Sequence, residues 1–112
     1  MSRAISWIRA ARKFAEQFPH EVREEAFDAL EIAAAGEKAD CAKPLKGFGP
    51  GVLELALEHR GEAYRVIYAV KIGDEIWVLH AFKKKSKTGI KTPKRELEVA
   101  RDRLKRLKEM LR

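Results

Sequence analysis

The chain has 112 residues, 46% of them hydrophobic and 37% charged, with a formal net charge of +7. That length predicts one domain over residues 1–112 with an independent core, and the lone Cys41 excludes an internal disulfide or a multi-cysteine zinc site. The longest apolar run, Val66 to Val70, is five residues, which excludes a transmembrane helix.

The charge is uneven. Residues 83–112 carry 13 Lys/Arg against 4 Asp/Glu, whereas residues 1–36 (5 against 6) and 37–82 (6 against 7) are each net −1. Such asymmetry points to a polyanionic partner, nucleic acid first and an acidic protein second. A chain with one cysteine and no membrane span reads as cytoplasmic. Its basic start could pass for a transit peptide, but it lacks serine enrichment, and Trp7 and Ile8 read as core.

Ala4 to Ile8 is β-prone and reads as an early strand. Ala10 to Gln17 reads as a short helix with Ala10, Phe14 and Phe18 on one apolar stripe. Pro19 opens a second helix to about Ala35, with Val22, Ala26, Ala29, Leu30 and Ala33 at helical spacing and Gly36 as its stop. Residues 37–51 hold Pro44, Gly47, Gly49, Pro50 and Gly51 and read as a structured connection with no element of its own. In Val52 to Glu58, Leu53, Leu55 and Leu57 alternate onto one face, as in a half-buried strand. A turn at His59 to Glu62 leads into a hairpin of Tyr64–Val70 and Ile76–Phe82 about Gly73-Asp74. Three strands with short links favour an antiparallel meander. After Lys91 the period becomes helical. Thr92 suits an N-cap, Pro93 the first helical position, and Leu97, Ala100, Leu104, Leu107 and Leu111 form one stripe. The fold class expected is α/β in the α+β sense.

Arg65 sits inside a strand pattern, opposite in facing to Tyr64, Val66, Tyr68 and Val70. One reading is a cross-strand pair of a solvent-facing arginine with Glu54 or Glu58. The other is a guanidinium fork for phosphate. Lys83, Lys84, Lys85, Lys87 and Lys91 are either a solvated charge run or a phosphate-binding cluster at a strand end. Crowding among them would help one to release a proton near neutral pH. His80, mid-strand, has no partner identifiable in the sequence, and a structural role is the simpler one. Trp77, Tyr64 and Tyr68 read as core. Cys41 has no activating neighbour, no His/Asp/Glu spacing suggests a metal, and GFGPG at 47–51 lacks the ending of a phosphate-binding P-loop.

The strings AKPLKGFGPGVLEL, YRVIYAV and VLHAFKKKSKTGIKTPKRELEVARDRL, in that order, closely resemble the phage-derived branch of the HigB/RelE-like type II toxins. The resemblance covers roughly Phe18 to Leu107. It implies two N-terminal helices on a curved, mostly antiparallel sheet, with a C-terminal helix. It also implies a cytoplasmic toxin paired with an antitoxin, here expected to be a small helix-turn-helix protein. Such toxins cleave messenger RNA, often on the ribosome, by attack of the 2′-hydroxyl on the adjacent phosphate, with no metal or cofactor. By that resemblance Arg65 and Lys84, with Lys83 and Lys85 as neighbours, contact the scissile phosphate. From the needs of the reaction itself, Glu54 is the best carboxylate candidate for the base with His80 the alternative, and the lysine cluster of Lys83, Lys85, Lys87 and Lys91 is expected to bind RNA. The chain departs from the pattern in two respects: Glu54 and Glu58 stand where many relatives carry basic residues, and residues 83–112 contain no tyrosine or histidine. A non-catalytic nucleic-acid-binding module and a phage-type assembly protein are the other function classes open at this point.

Overall fold

The computed structural model describes residues 2–84 and 91–111. Lys85 and Lys87, named above, lie outside them. Five strands, β1 (Ala4–Trp7), β2 (Ala42–Pro44), β3 (Val52–His59), β4 (Glu62–Ile72) and β5 (Glu75–Lys84), form one sheet in the order β1-β5-β4-β3-β2. All neighbours are antiparallel except β1, which runs parallel to β5. The expected meander is β3-β4-β5. β2 lies inside the segment expected to be only a connection: Ala42–Pro44 pair with Leu55–Leu53. A three-residue strand is too short to leave a period in the sequence.

α1 (Arg9–Glu16) and α2 (His20–Ala34) cover one sheet face. Val22, Ala26, Ala29, Leu30 and Ala33 are all buried there, against Leu55, Leu57, Tyr64, Val66 and Tyr68. α2 ends where expected, with Gly36 N–H donating to Ala33 O and Glu37 N–H to Ile32 O, a Schellman arrangement. On α1 the stripe differs from expectation. Ala11, Ala15 and Phe18 are buried, and Phe14 is 52% exposed. The helix follows β1 directly, and Ile8 N–H donates to Val78 O. That bond sets the rotational phase of α1, which a stripe of alternative apolar residues cannot do.

α3 (Lys94–Met110) covers the opposite face, burying Ala100, Leu104 and Leu107 against Ile67, Leu79 and Phe82. Each fully buried leucine there contributes roughly 1.5–3 kcal/mol. Leu111, expected on the stripe, is 48% exposed past the helix end. Pro93, not Thr92, holds the cap position, with no side-chain cap hydrogen bond. Thr92 Oγ1 donates instead to Glu54 Oε2. Arg101 ties α3 to the 47–51 loop, donating to Gly47 O at 2.6 Å and lying 4.3 Å from the Phe48 ring centroid. No helix among the described residues is long and apolar enough to cross a membrane.

The β3–β4 hairpin turns at Arg60-Gly61, both at positive φ (51° and 78°). That is the two-residue turn whose twist matches flanking strands, and it favours glycine at its second position. The β4–β5 ladder carries a bulge. Ile67 lies opposite His80 and Tyr68 opposite Val78, so Leu79 has no partner of its own. Before the bulge, Ile76 and Val78 face α1 and α2, and after it Ala81 does. His80, Phe82 and Lys84 are thereby turned to the α3 side.

Candidate functional site

Four polar or charged side chains are buried among the described residues: Glu54, Arg65, His80 and Lys84. They come from β3, β4 and β5, and all sit on the α3 side of the sheet. Glu54 and His80 both lie opposite Ile67, and Arg65 lies opposite Phe82. Lys84 shares the phase of His80 and Phe82 beyond the bulge. The four residues singled out in the sequence thus form one neighbourhood, and the bulge is what puts two of them there.

Arg65 is 7% exposed, so it is not the solvent-facing arginine expected from the alternation. Thr92, just ahead of α3, binds Glu54, the neighbour of Arg65. Arg65 Nη1 donates to Tyr64 O at 3.2 Å. Its Nε is buried without a hydrogen-bond acceptor, 3.9 Å from Glu54 Oε1. A buried guanidinium donor that is not fully satisfied costs free energy in this state. It also leaves a donor available to an incoming anion.

His80 has its partners on α3. Its Nε2 is 2.7 Å from Glu96 Oε1, and Arg103 Nη1 lies 3.1 Å from Nδ1. Because guanidinium can only donate, Nδ1 is the acceptor and Nε2 carries the proton given to Glu96. Arg103 Nη1 also donates to Leu79 O at 3.0 Å, at the bulge. Burial depresses the His80 pKa, Glu96 opposes that shift and Arg103 adds to it. Both ring nitrogens are therefore engaged by the helix. Glu96 and Arg103, seven residues apart on one face of α3, were not read as site residues. The signal was their position beside the Ala100 stripe, which carries no address for a histidine on another element.

Lys83 is exposed on the other phase of β5, and its ammonium pairs with Glu62. That hydrogen bond raises its pKa. The expectation that lysine crowding eases proton release is not met at Lys83, because a carboxylate stands closer than any second lysine that acts on it. Lys91 is exposed beside the start of α3. Cys41 is a free thiol whose pKa is raised, first by burial and then by Glu25, in keeping with the inert role expected. Burial also pushes Tyr68 up to about 12, as befits a core phenol.

β1 pairs with β5 only as far as Val78. Beyond that point a cleft of about 590 Å³ opens between the α1–α2 junction and α3. Its walls include His80, Phe82 and Lys83 from β5, Glu96 and Arg103 from α3, and Phe14 from α1. Arg65, Glu54 and Lys84 lie outside this cleft wall. The neighbourhood is thus a buried charged face beside an open cleft, with His80 belonging to both.

Comparison with known proteins follows the same lines. The solved structure of Escherichia coli toxin RelE, in the free state and with two arginines replaced by alanine, matches with a TM-score of 0.65. The match spans 95% of this chain and 98% of that one at 20% identity, which shows a shared fold. No curated protein sequence matches. The family model described as "Phage derived protein Gp49-like (DUF891)" matches residues 13–105. The order of motifs, the helix-covered sheet and this match over most of the length agree, and the chain belongs to the phage-derived Gp49-like family, with a RelE-like fold.

Proposed function

We propose that this protein is the toxin of a type II toxin–antitoxin system and blocks translation by cleaving messenger RNA, most effectively on the ribosome. The observation that carries this reading is the convergence of all four buried polar side chains of the described residues on one sheet face, next to a cleft with basic walls. A core built for stability alone gains little by burying four ionisable groups, since each must be desolvated.

Cleavage by a 2′-hydroxyl needs a base, stabilisation of the charge on phosphorus and an acid for the leaving 5′-oxygen. Arg65 and Lys84 supply the positive charge, and solvent water gives the leaving 5′-oxygen its proton. Glu54, one Cβ row from Arg65 on the neighbouring strand, takes the proton from the 2′-hydroxyl. His80 is the alternative base once Glu96 and Arg103 release it. Lys83 and Lys91 hold the flanking backbone, with Lys85 and Lys87 assigned to the same role. Entry of RNA requires Thr92 to give up its bond to Glu54. The ribosome then adds positioning, which can contribute as much as chemistry. The partners on this reading are the ribosome, messenger RNA and a cognate antitoxin of the helix-turn-helix type, and the compartment is the cytoplasm.

The test is induction alone in bacteria. Growth and protein synthesis stop, and co-expression of the neighbouring antitoxin gene restores both. Purified protein added to programmed ribosomes yields truncated messenger. Normal growth at high folded expression, with intact messenger on ribosomes, would overturn the reading in favour of a non-catalytic nucleic-acid-binding module or a phage-type assembly protein.

A further inference from the structure

Phe14 is the aromatic side chain that the core does not use. Its neighbours Ala11 and Ala15 are buried, yet Phe14 stands 52% exposed on the last turn of α1. Single exposed apolar residues are ordinary. Phe27 is exposed too, but it packs edge-on against Trp7 and lies outside the cleft wall. Phe14 differs in where it stands: on the wall of the 590 Å³ cleft that Lys83 of β5 and Arg95 of α3 also line. The volume falls within the ~300–1,000 Å³ of clefts that hold small ligands.

An exposed ring in a cleft that cations also line is the arrangement that takes single-stranded nucleic acid. The ring accepts the face of any unpaired base, and the cations accept the phosphates on either side. A duplex, whose bases are already stacked, gains nothing from such a ring. The pairing of Lys83 with Glu62 fits the same role. It holds the exposed ammonium of a cleft-lining residue in place until a phosphate replaces the carboxylate.

We propose that Phe14 is the stacking platform for one unpaired base of an RNA strand, with Lys83 and Arg95 holding the adjacent phosphates. The choice of RNA rests on the proposed function above, and the platform places a nucleotide beside the buried charged face.

The test uses the full-length protein and a fluorescent single-stranded oligonucleotide of 2′-O-methyl RNA, which cannot be cleaved by 2′-hydroxyl attack. Binding is measured by anisotropy for wild type, Phe14→Ala, Phe14→Leu and Phe14→Trp, with thermal melts on the same preparations. Phe14→Ala and Phe14→Leu bind roughly 5- to 100-fold more weakly, the range for loss of one base–aromatic stack. Phe14→Trp binds like wild type and gains a fluorescence signal quenched by RNA. Melting temperatures stay near wild type, because the ring is half in water. Affinities of the alanine and leucine variants within twofold of wild type overturn the proposal, as does a wild type that does not bind at low salt. Equal loss of binding to polyglutamate, with RNA binding intact, assigns the ring to an acidic protein and also overturns it. Phe14-dependent binding without any messenger cleavage on ribosomes leaves the platform standing and removes the nuclease reading.

Discussion

Arg65 Nε stands 3.9 Å from Glu54 Oε1 with no hydrogen-bond acceptor, although their side chains are only 8% and 10% exposed. The pair is close enough to attract and too far apart to satisfy the donor. Removing Arg65 takes a cation away from the buried Glu54 carboxylate, so Arg65→Ala is expected to destabilise by about 3 kcal/mol. Adding Glu54→Gln to that variant is expected to return part of the loss. On the proposed function, Arg65→Ala also lowers cleavage per folded molecule by roughly a hundredfold. Arg65→Lys restores stability better than cleavage, since an ammonium has no fork. Urea unfolding and single-turnover cleavage on the same samples separate the two effects. Wild-type cleavage per folded Arg65→Ala molecule would reduce the arginine to a structural ion pair.

Protonation of His80 is expected to loosen α3. Its pKa is depressed in the fold, so the unfolded chain binds the proton more readily. The stability this contributes is present above the unfolded value of about 6.5 and is lost as pH falls through the lower folded value. The groups facing the ring are Glu96, which would welcome the charge, and Arg103, which would lose its acceptor. Melts between pH 7.5 and 4.5 are expected to show the melting temperature falling below about pH 6.5. In His80→Gln that fall is shallower. A slope identical in the two proteins would mean other groups carry it.

Binding of single-stranded RNA is expected to depend steeply on salt. If about five basic side chains meet phosphates, log affinity falls with log salt at a slope near −3 to −4. Lys91→Ala and Lys83→Ala each reduce that slope by less than one. Titrations at four salt concentrations measure it, and a slope near zero would remove the electrostatic footprint.

Gly51 is expected to be intolerant of a side chain. Its φ is +85°, and a Cβ there would come within 2.7 Å of Lys71 Cγ. Gly51→Ala is expected to cost about 1–2 kcal/mol from the left-handed backbone alone, plus displacement of Lys71. The Gly51→Ala/Lys71→Ala double variant recovers only the second part. Denaturant melts report both, and an unchanged midpoint in Gly51→Ala would show that the loop relaxes freely.

How much of this was legible in the sequence depended on whether a period stayed local. The facing of Tyr64, Val66 and Tyr68 against Arg65 and Ile67 could be read because β4 alternates without interruption through those residues. The buried stripe of α2 could be read for the same reason. Thr92 read as a cap because the residue type suits one; only the folded chain brings Glu54 within its reach. The bulge at Leu79 left no trace, since one extra leucine between Val78 and His80 looks like any other strand residue. For His80 the missing information was the placement of α3, without which Glu96 and Arg103 are ordinary charges on a charged helix.

The parallel pairing of β1 with β5 bears on how the molecule is made. Ala4 lies opposite Glu75, so β1, once synthesised, waits about 70 residues for its neighbour. Closing so long a loop costs entropy before the contact repays it, and such pairings form slowly. The β3–β4–β5 meander, joined by tight turns, can assemble first and present the β5 edge. During synthesis Ile5 and Trp7 therefore remain without their sheet until most of the polypeptide has emerged. A chain stopped before β5 leaves β1 unpaired and lacks the bond from Ile8 to Val78 that orients α1.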